Sequence, residues 1–351
     1  MILIIILLNL RREIMFKNKP FWAAGLIYLL LVTLLSACGD AATTAGDPAP
    51  AKQAPKEPST EASAAATRNF STVKGNINIP VKPKRIVTDY YGGELLSVGA
   101  NVVGVEPTTF DNPFLKKLLA GAVDVGTPVN VEKTLELAPD LIVVMYDKNY
   151  EELSKIAPTL HIPYGTTSNI YETVKLFGDI AGEPQKVEQF IATFDQKAAQ
   201  GREKLKGVID PNATVGLYEL TDKGTLWVFG DNAGRGGQTV YNALGLKMPD
   251  LVRSEIKGNT GSVQLSMEVL PKYAADYMFL TTYDPEKKGE ALKQLQASSV
   301  WQGLNAVKNN TLFMNDFDTF YRYDPIAITE QIDLFVDMLL TRTAENKAKK
   351  N

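Results

Sequence analysis

From Lys84 onward the chain alternates short apolar runs with stretches in which apolar residues recur every three or four positions. RIVTDYY (85–91) reads as a strand and GGELLSVGA as a helix closed by Gly99. NVVGVE is the next strand, and NPFLKKLLAG a helix ending at Gly121. VNVEKTLELAP gives a helix capped by Asn130, followed by the strand DLIVVMY. YEELSKIAP reads as helical, TLHIPYG as extended and SNIYETVKLFGDIAG as helical. This βαβα order predicts a mostly parallel sheet with helices on both faces.

Pro184 then opens EPQKVEQFIATFDQKAAQGREKLKG, a helical pattern of about two dozen residues. A second series follows: ATVGLYEL, LWVFG, a glycine-rich loop, QTVYNALG, a helix from Ser266, the strand DYMFLTTY, and TLFMND. Asp324-Pro325 begins a last helix, IAITEQIDLFVDMLLTRTAE. VEKTLELAPDLIVV (131–144) aligns with MEVLPKYAADYMFL (267–280), each with a glutamate eight residues before an aspartate. Repetition at that separation points to two lobes of like topology. The fold class expected is α/β, two Rossmann-like lobes joined by a single long helix. The lobes span residues 71–183 and 208–346, and the linking helix 184–207.

The N-terminus changes the picture of where the chain works. MFKNKPFWAAGLIYLLLVTLLSACGD (15–40) has a short basic region, an apolar stretch and small residues before Cys38, the only cysteine. Residues 1–37 are read as a secretory signal with Met15 as the expected start. Cys38 is read as a lipidation site of lipobox type, which anchors the chain to the outer face of the cytoplasmic membrane. Residues 38–70, rich in Ala, Pro, Ser and Thr, cannot bury enough surface to offset their conformational entropy and form a disordered tether.

Formal charge is −3 with no basic block, so nucleic acid is not an expected partner. The single histidine, His161, lies inside an extended run, and neither a His-based triad nor zinc spacing is present. An enzyme is therefore not expected, and an exported hydrolase is the alternative from another class. FGDNAGRGGQTVYNALG (229–245) lacks the Lys of a Walker loop and the spacing of a dinucleotide fingerprint. A binding site fits better. LWVFG is expected to end at the carboxyl edge of its sheet, which would leave Arg235 at the rim with planar donors suited to anionic oxygens. Tyr90, Tyr91 and the run NDFDTFYRYDP, with Phe320, Tyr321 and Arg322, gather at other strand ends and suit a bulky ligand carrying oxygen acceptors.

Together, the lipobox, tether, KPKRIV, linking helix and paired glutamates resemble the substrate-binding lipoproteins of ABC iron-siderophore importers. YGGELLSVGANVVGV, KIAPT, VFGDNAGRGGQTVYNALGLKM, VWQGLNAVKNN and TFYRYDP are most similar to the ferric-hydroxamate receptors of Gram-positive bacteria. That resemblance implies the class III binding-protein fold, a monomer, and a ferric siderophore as ligand, with no cofactor of the protein's own. It implies that Arg235 hydrogen-bonds the hydroxamate oxygens, and that Trp227 and Tyr321 stand where those receptors place a pocket tyrosine and tryptophan. Glu132 and Glu268 match the lobe glutamates that dock on permease arginines. Ala233 departs from the pattern, standing in place of a pocket tryptophan, which leaves mixed citrate-hydroxamate or carboxylate siderophores open. Haem or cobalamin is the alternative ligand on the same fold.

Overall fold

A computed structural model describes residues 66–256 and 261–349; the signal segment, Cys38 and most of the tether lie outside the described residues. The strands are β1 (Thr67–Thr72), β2 (Gly75–Pro80), β3 (Ile86–Thr88), β4 (Val102–Val105), β5 (Val123–Asp124), β6 (Leu141–Val144) and β7 (Thr159–His161). They continue with β8 (Val215–Thr221), β9 (Leu226–Phe229), β10 (Ser262–Leu265), β11 (Tyr277–Tyr283) and β12 (Leu312–Asn315). β1 and β2 form an antiparallel hairpin. Its first strand begins inside the stretch assigned to the tether, because Phe70 finds a buried place against the N-terminal lobe core.

The first sheet runs β5-β4-β3-β6-β7, parallel throughout. β3, β4 and β6 are buried along their whole length, as strands covered on both faces must be. The second sheet runs β10-β9-β8-β11-β12. There β8, β11 and β12 are parallel, while β9 and β10 are antiparallel. Gly224 (φ +77°) turns the chain tightly between β8 and β9, which makes the two strands a hairpin. The carboxyl end of β9 therefore lies beside the amino half of β8, not at the carboxyl edge where sequence placed it.

The long-range repeat has a structural meaning. Asp140, just before β6, accepts from the backbone N–H groups of Lys84 and Arg85 at 2.7 and 2.8 Å. Asp276, just before β11, accepts from the N–H and hydroxyl of Thr214 at 2.7 and 2.8 Å. Each aspartate thus pins the entry of the central strand of its own sheet, and the two lobes repeat that joint. The glutamates differ. Glu132 sits in the first turn of the helix Val131–Glu136, capped by Asn130. Glu268 lies in a turn ahead of the short helix Leu270–Tyr273, not in a helix begun at Ser266. Pro271 fixes that later start, since it is best placed in a helix's first turn.

Residues 112–121 are also not the regular helix expected. The bonds run mostly three residues back, Leu118 to Leu115 and Ala122 to Leu119, which still buries Leu115 and Leu119. The linking helix, Pro184–Leu205, opens on Pro184 and ends with Arg202 and Lys204 in its last turn. It buries Phe194, Ala198, Gly201 and Leu205, a seam of one side of the helix. A Cβ on Gly201 would stand 2.7 Å from Leu244 and 3.1 Å from Ile332, so glycine lets this helix lie close along the final helix, Pro325–Ala348. Lys197 bridges to Glu330 and Asp333 on that helix, both at 3.1 Å.

Candidate functional site

The floor of the cleft is the face of the second sheet. Trp227 and Phe229 project to one side of β9, as alternate residues must. Glu219 of β8 stands directly opposite Trp227, and Ser262 of β10 opposite Phe229. Tyr321, Tyr323 and Ala233 wall this floor, and Tyr90, Met145, Tyr146 and Tyr164 face it from the N-terminal lobe, leaving a cleft of about 450 Å³.

Arg235 is held there by its backbone and its neighbours. It has φ +56° between Gly234 (+75°) and Gly236 (+88°), a left-handed run that folds the loop back onto the sheet. A Cβ on Gly234 would meet the Tyr321 carbonyl at 2.6 Å, and one on Gly236 the Phe335 ring at 2.3 Å. The glycines thus serve close packing of the loop. The Arg235 guanidinium lies 4.4 Å over Phe229 and 4.7 Å over Tyr321. Its Nε and Nη2 approach Glu219 Oε2 at 2.7 and 2.6 Å, and Nη1 donates to the Ala233 carbonyl at 3.3 Å. Three of the five N–H groups of an arginine are thereby engaged, leaving two for the cleft.

Of the seven ligand-site residues expected from sequence, four line this cleft. Arg235, Trp227, Tyr321 and Tyr90 line it. Tyr91 does not: its ring packs 4.7 Å from Phe177, its hydroxyl donates to the Ile162 carbonyl at 2.5 Å, and it is 8% exposed. Arg322 turns away, with Nε donating to the Asp318 carbonyl at 3.3 Å, into a small cavity shared with Glu94, Asn112 and Asp324. Phe320, the seventh, is core, 6% exposed and edge-on to Phe335 at 5.1 Å. Successive residues of a helical turn diverge by about 100°, so Phe320, Tyr321 and Arg322 cannot all face one cleft. Glu132 and Glu268 are both exposed. His161 lies in β7, with Nε2 3.1 Å from the Met145 carbonyl, while its buried Nδ1 has no partner.

Sequence reading missed Glu219, Phe229, Met145, Tyr146 and Tyr164. Of these only Glu219 left a signal, an acid in the middle of the apolar run VGLYELT.

Behind the cleft the lobes meet through carboxyl groups. Asp324 caps the final helix by accepting from the Ala327 N–H at 3.0 Å, and reaches the N-terminal lobe through Asn112 Nδ2 at 2.8 Å. Gly93 admits Asp324, whose Cγ would lie 2.4 Å from a Cβ there. Burial, then the neighbouring Asp324 and Asp89, holds the Glu94 carboxyl protonated well above its usual 4.5. Stability from such a group is full below 4.5 and is lost as pH rises through the raised value, since the folded state binds the extra proton. Glu94→Gln should therefore flatten the fall in melting temperature with rising pH, and raise Tm at neutral pH by at least about 2 °C. Thermal melts across pH check this; parallel profiles for the two proteins would refute it.

Residues 93–319 match the family model described as "Periplasmic binding protein". The chain is 51% identical over 332 residues to the iron(3+)-hydroxamate-binding protein YxeB of Bacillus subtilis, covering 94% of this chain and 99% of that one. Among solved structures, it superposes on the FhuD protein from S. pseudintermedius with a TM-score of 0.69 at 32% identity, over 78% of this chain and 98% of that one. It superposes on FhuD2 from Staphylococcus aureus with bound ferrioxamine B with a TM-score of 0.66 at 29% identity, over 74% and 100%.

Proposed function

The chain belongs to the periplasmic binding protein family, and we propose that it captures a ferric siderophore, hydroxamate or mixed citrate-hydroxamate, and delivers it to an ABC permease for iron uptake. The observation that carries this reading is Arg235, fixed between two rings at the edge of an aromatic cleft with two N–H groups not engaged by the protein. Hydroxamate oxygens around a ferric ion are bidentate anionic acceptors, which match a planar guanidinium fork. The rings of Trp227, Tyr321 and Tyr90 supply apolar faces for the ligand's backbone. Among the described residues no group of three His, Cys, Asp or Glu side chains is disposed to hold a metal ion. In this reading the siderophore itself completes the coordination of iron, and the protein performs no chemistry on it.

The remaining parts of the reading follow the same logic. Glu132 and Glu268, exposed on corresponding joints of the two lobes, would grip basic residues of a two-fold permease. A diacylglycerol on Cys38 would keep the receptor at the outer face of the membrane. The lobes are tied by one helix packed along its neighbour, so only a small closure on binding is expected. Trp227 on the cleft floor provides the test. Titration of the protein with a ferric hydroxamate should quench tryptophan fluorescence saturably, whereas haem and cobalamin should not; silence toward every ferric siderophore would sink the reading.

A further inference from the structure

Resting on the siderophore reading, we propose that Glu219 sets the ligand's charge: by neutralising Arg235 it restricts the cleft to ferric complexes whose iron centre is neutral or positive overall. Arg235 and Glu219 are the only charged residues among the described residues lining the cleft, so its formal charge is zero. Glu219 is 6% exposed, and both Nε and Nη2 of Arg235 converge on one of its oxygens. The guanidinium that meets the ligand therefore presents directed N–H dipoles, with its net field largely cancelled.

The surroundings deepen the effect. The adjoining cavity in the N-terminal lobe carries Asp89, Glu106 and Asp147 against Lys148, with Lys74 already bound to Asp147 at 3.2 Å. Arg322 is spent on the acidic seam, facing Glu94, Glu106 and Asp324 on the far side of Tyr321. Three carboxylates against one lysine, Lys148, line the adjoining cavity, so it supplies no net positive charge to offset an excess of negative charge brought by a ligand.

Three hydroxamate groups, each a monoanion, neutralise a ferric ion completely. Citrate and catecholate groups lose more protons on binding iron and leave a net negative complex. Such a complex would lie beside a buried carboxylate in a cleft of zero net charge, where repulsion is poorly screened. Within the siderophore reading this narrows the ligand to the hydroxamates: the opening left by Ala233 for mixed citrate-hydroxamate and carboxylate siderophores is closed by charge, although its space admits larger neutral ones.

The test is a set of binding titrations with three probes: ferrioxamine B, which carries a free ammonium, neutral ferrichrome, and anionic ferric citrate. The wild-type protein should prefer the first two over ferric citrate by at least about tenfold, the scale of one close charge pair. Glu219→Gln should narrow that ratio by at least about tenfold, because shape is unchanged while the cleft gains a net positive charge. Glu219→Asp should keep it. A uniform loss for all three probes in Glu219→Gln would show that Glu219 only positions Arg235, and would overturn the proposal while leaving the siderophore reading intact. Equal wild-type affinity for ferric citrate would do the same without any variant, and silence toward all three would remove both.

Discussion

Arg235→Ala is expected to weaken binding of a ferric hydroxamate by about a hundredfold or more, with little loss of fold. Two hydrogen bonds from a charged donor contribute about 1.5–3 kcal/mol each, and every 1.4 kcal/mol is tenfold in affinity. The variant also strands Glu219, a carboxylate that is 6% exposed, opposite the incoming anionic oxygens. That adds repulsion where there was attraction. Arg235→Lys should fall between, since a lysine carries the charge but not the rigid fork, and cannot lie flat between Phe229 and Tyr321 as the guanidinium does. Fluorescence titration and calorimetry measure both variants. Unaltered affinity in Arg235→Ala, with quenching retained, would move the site elsewhere on the molecule.

The second large effect is on stability. Gly236→Ala should destabilise the protein by about 2–5 kcal/mol, from two sources that can be separated. The first is the backbone: φ is +88°, a conformation that costs a residue with a Cβ about 1–2 kcal/mol. The second is steric, because the new methyl would stand 2.3 Å from Cζ of Phe335, a ring with no exposed surface that also packs against Phe279 and Phe320. Overpacking of that kind costs about 1–3 kcal/mol. Gly224→Ala supplies the comparison, with φ +77° but open space around the Cβ, so it should lose the backbone part alone. Denaturant melts of the two variants decide it. Equal losses would mean that Phe335 yields freely and that the loop is not clamped by the core.

What could be read from sequence, and what could not, follows from the range of the forces involved. The lobes, the linking helix from Pro184 and the final helix from Asp324-Pro325 were legible, because periodicity, capping and proline act within a few residues. Arg235 was legible because glycines bracket it. The antiparallel turn of β9 was not, since a short apolar run reads alike in either direction and Gly224 decides the matter. Tyr91 and Phe320 were assigned to the cleft because aromatic residues look the same in a core and in a wall; which they become depends on rotation about a helix turn. Glu219 was missed for a different reason. Its partner lies sixteen residues away across a hairpin, and the charge that matters is the sum over both.

The linking helix has a consequence for how a permease could read the receptor's state. Its 22 residues form a strut of about 33 Å, clamped along the final helix by Lys197 and by the close approach at Gly201. A strut so braced acts as a fixed caliper. If Glu132 and Glu268 are its two jaws, their spacing is nearly the same in the empty and the loaded receptor, and a transporter that measured distance alone would dock with both. Discrimination would then fall to whatever fills the gap between the jaws, so that the cargo itself, seated among Tyr146, Tyr164 and Tyr321, becomes part of the surface the permease recognises.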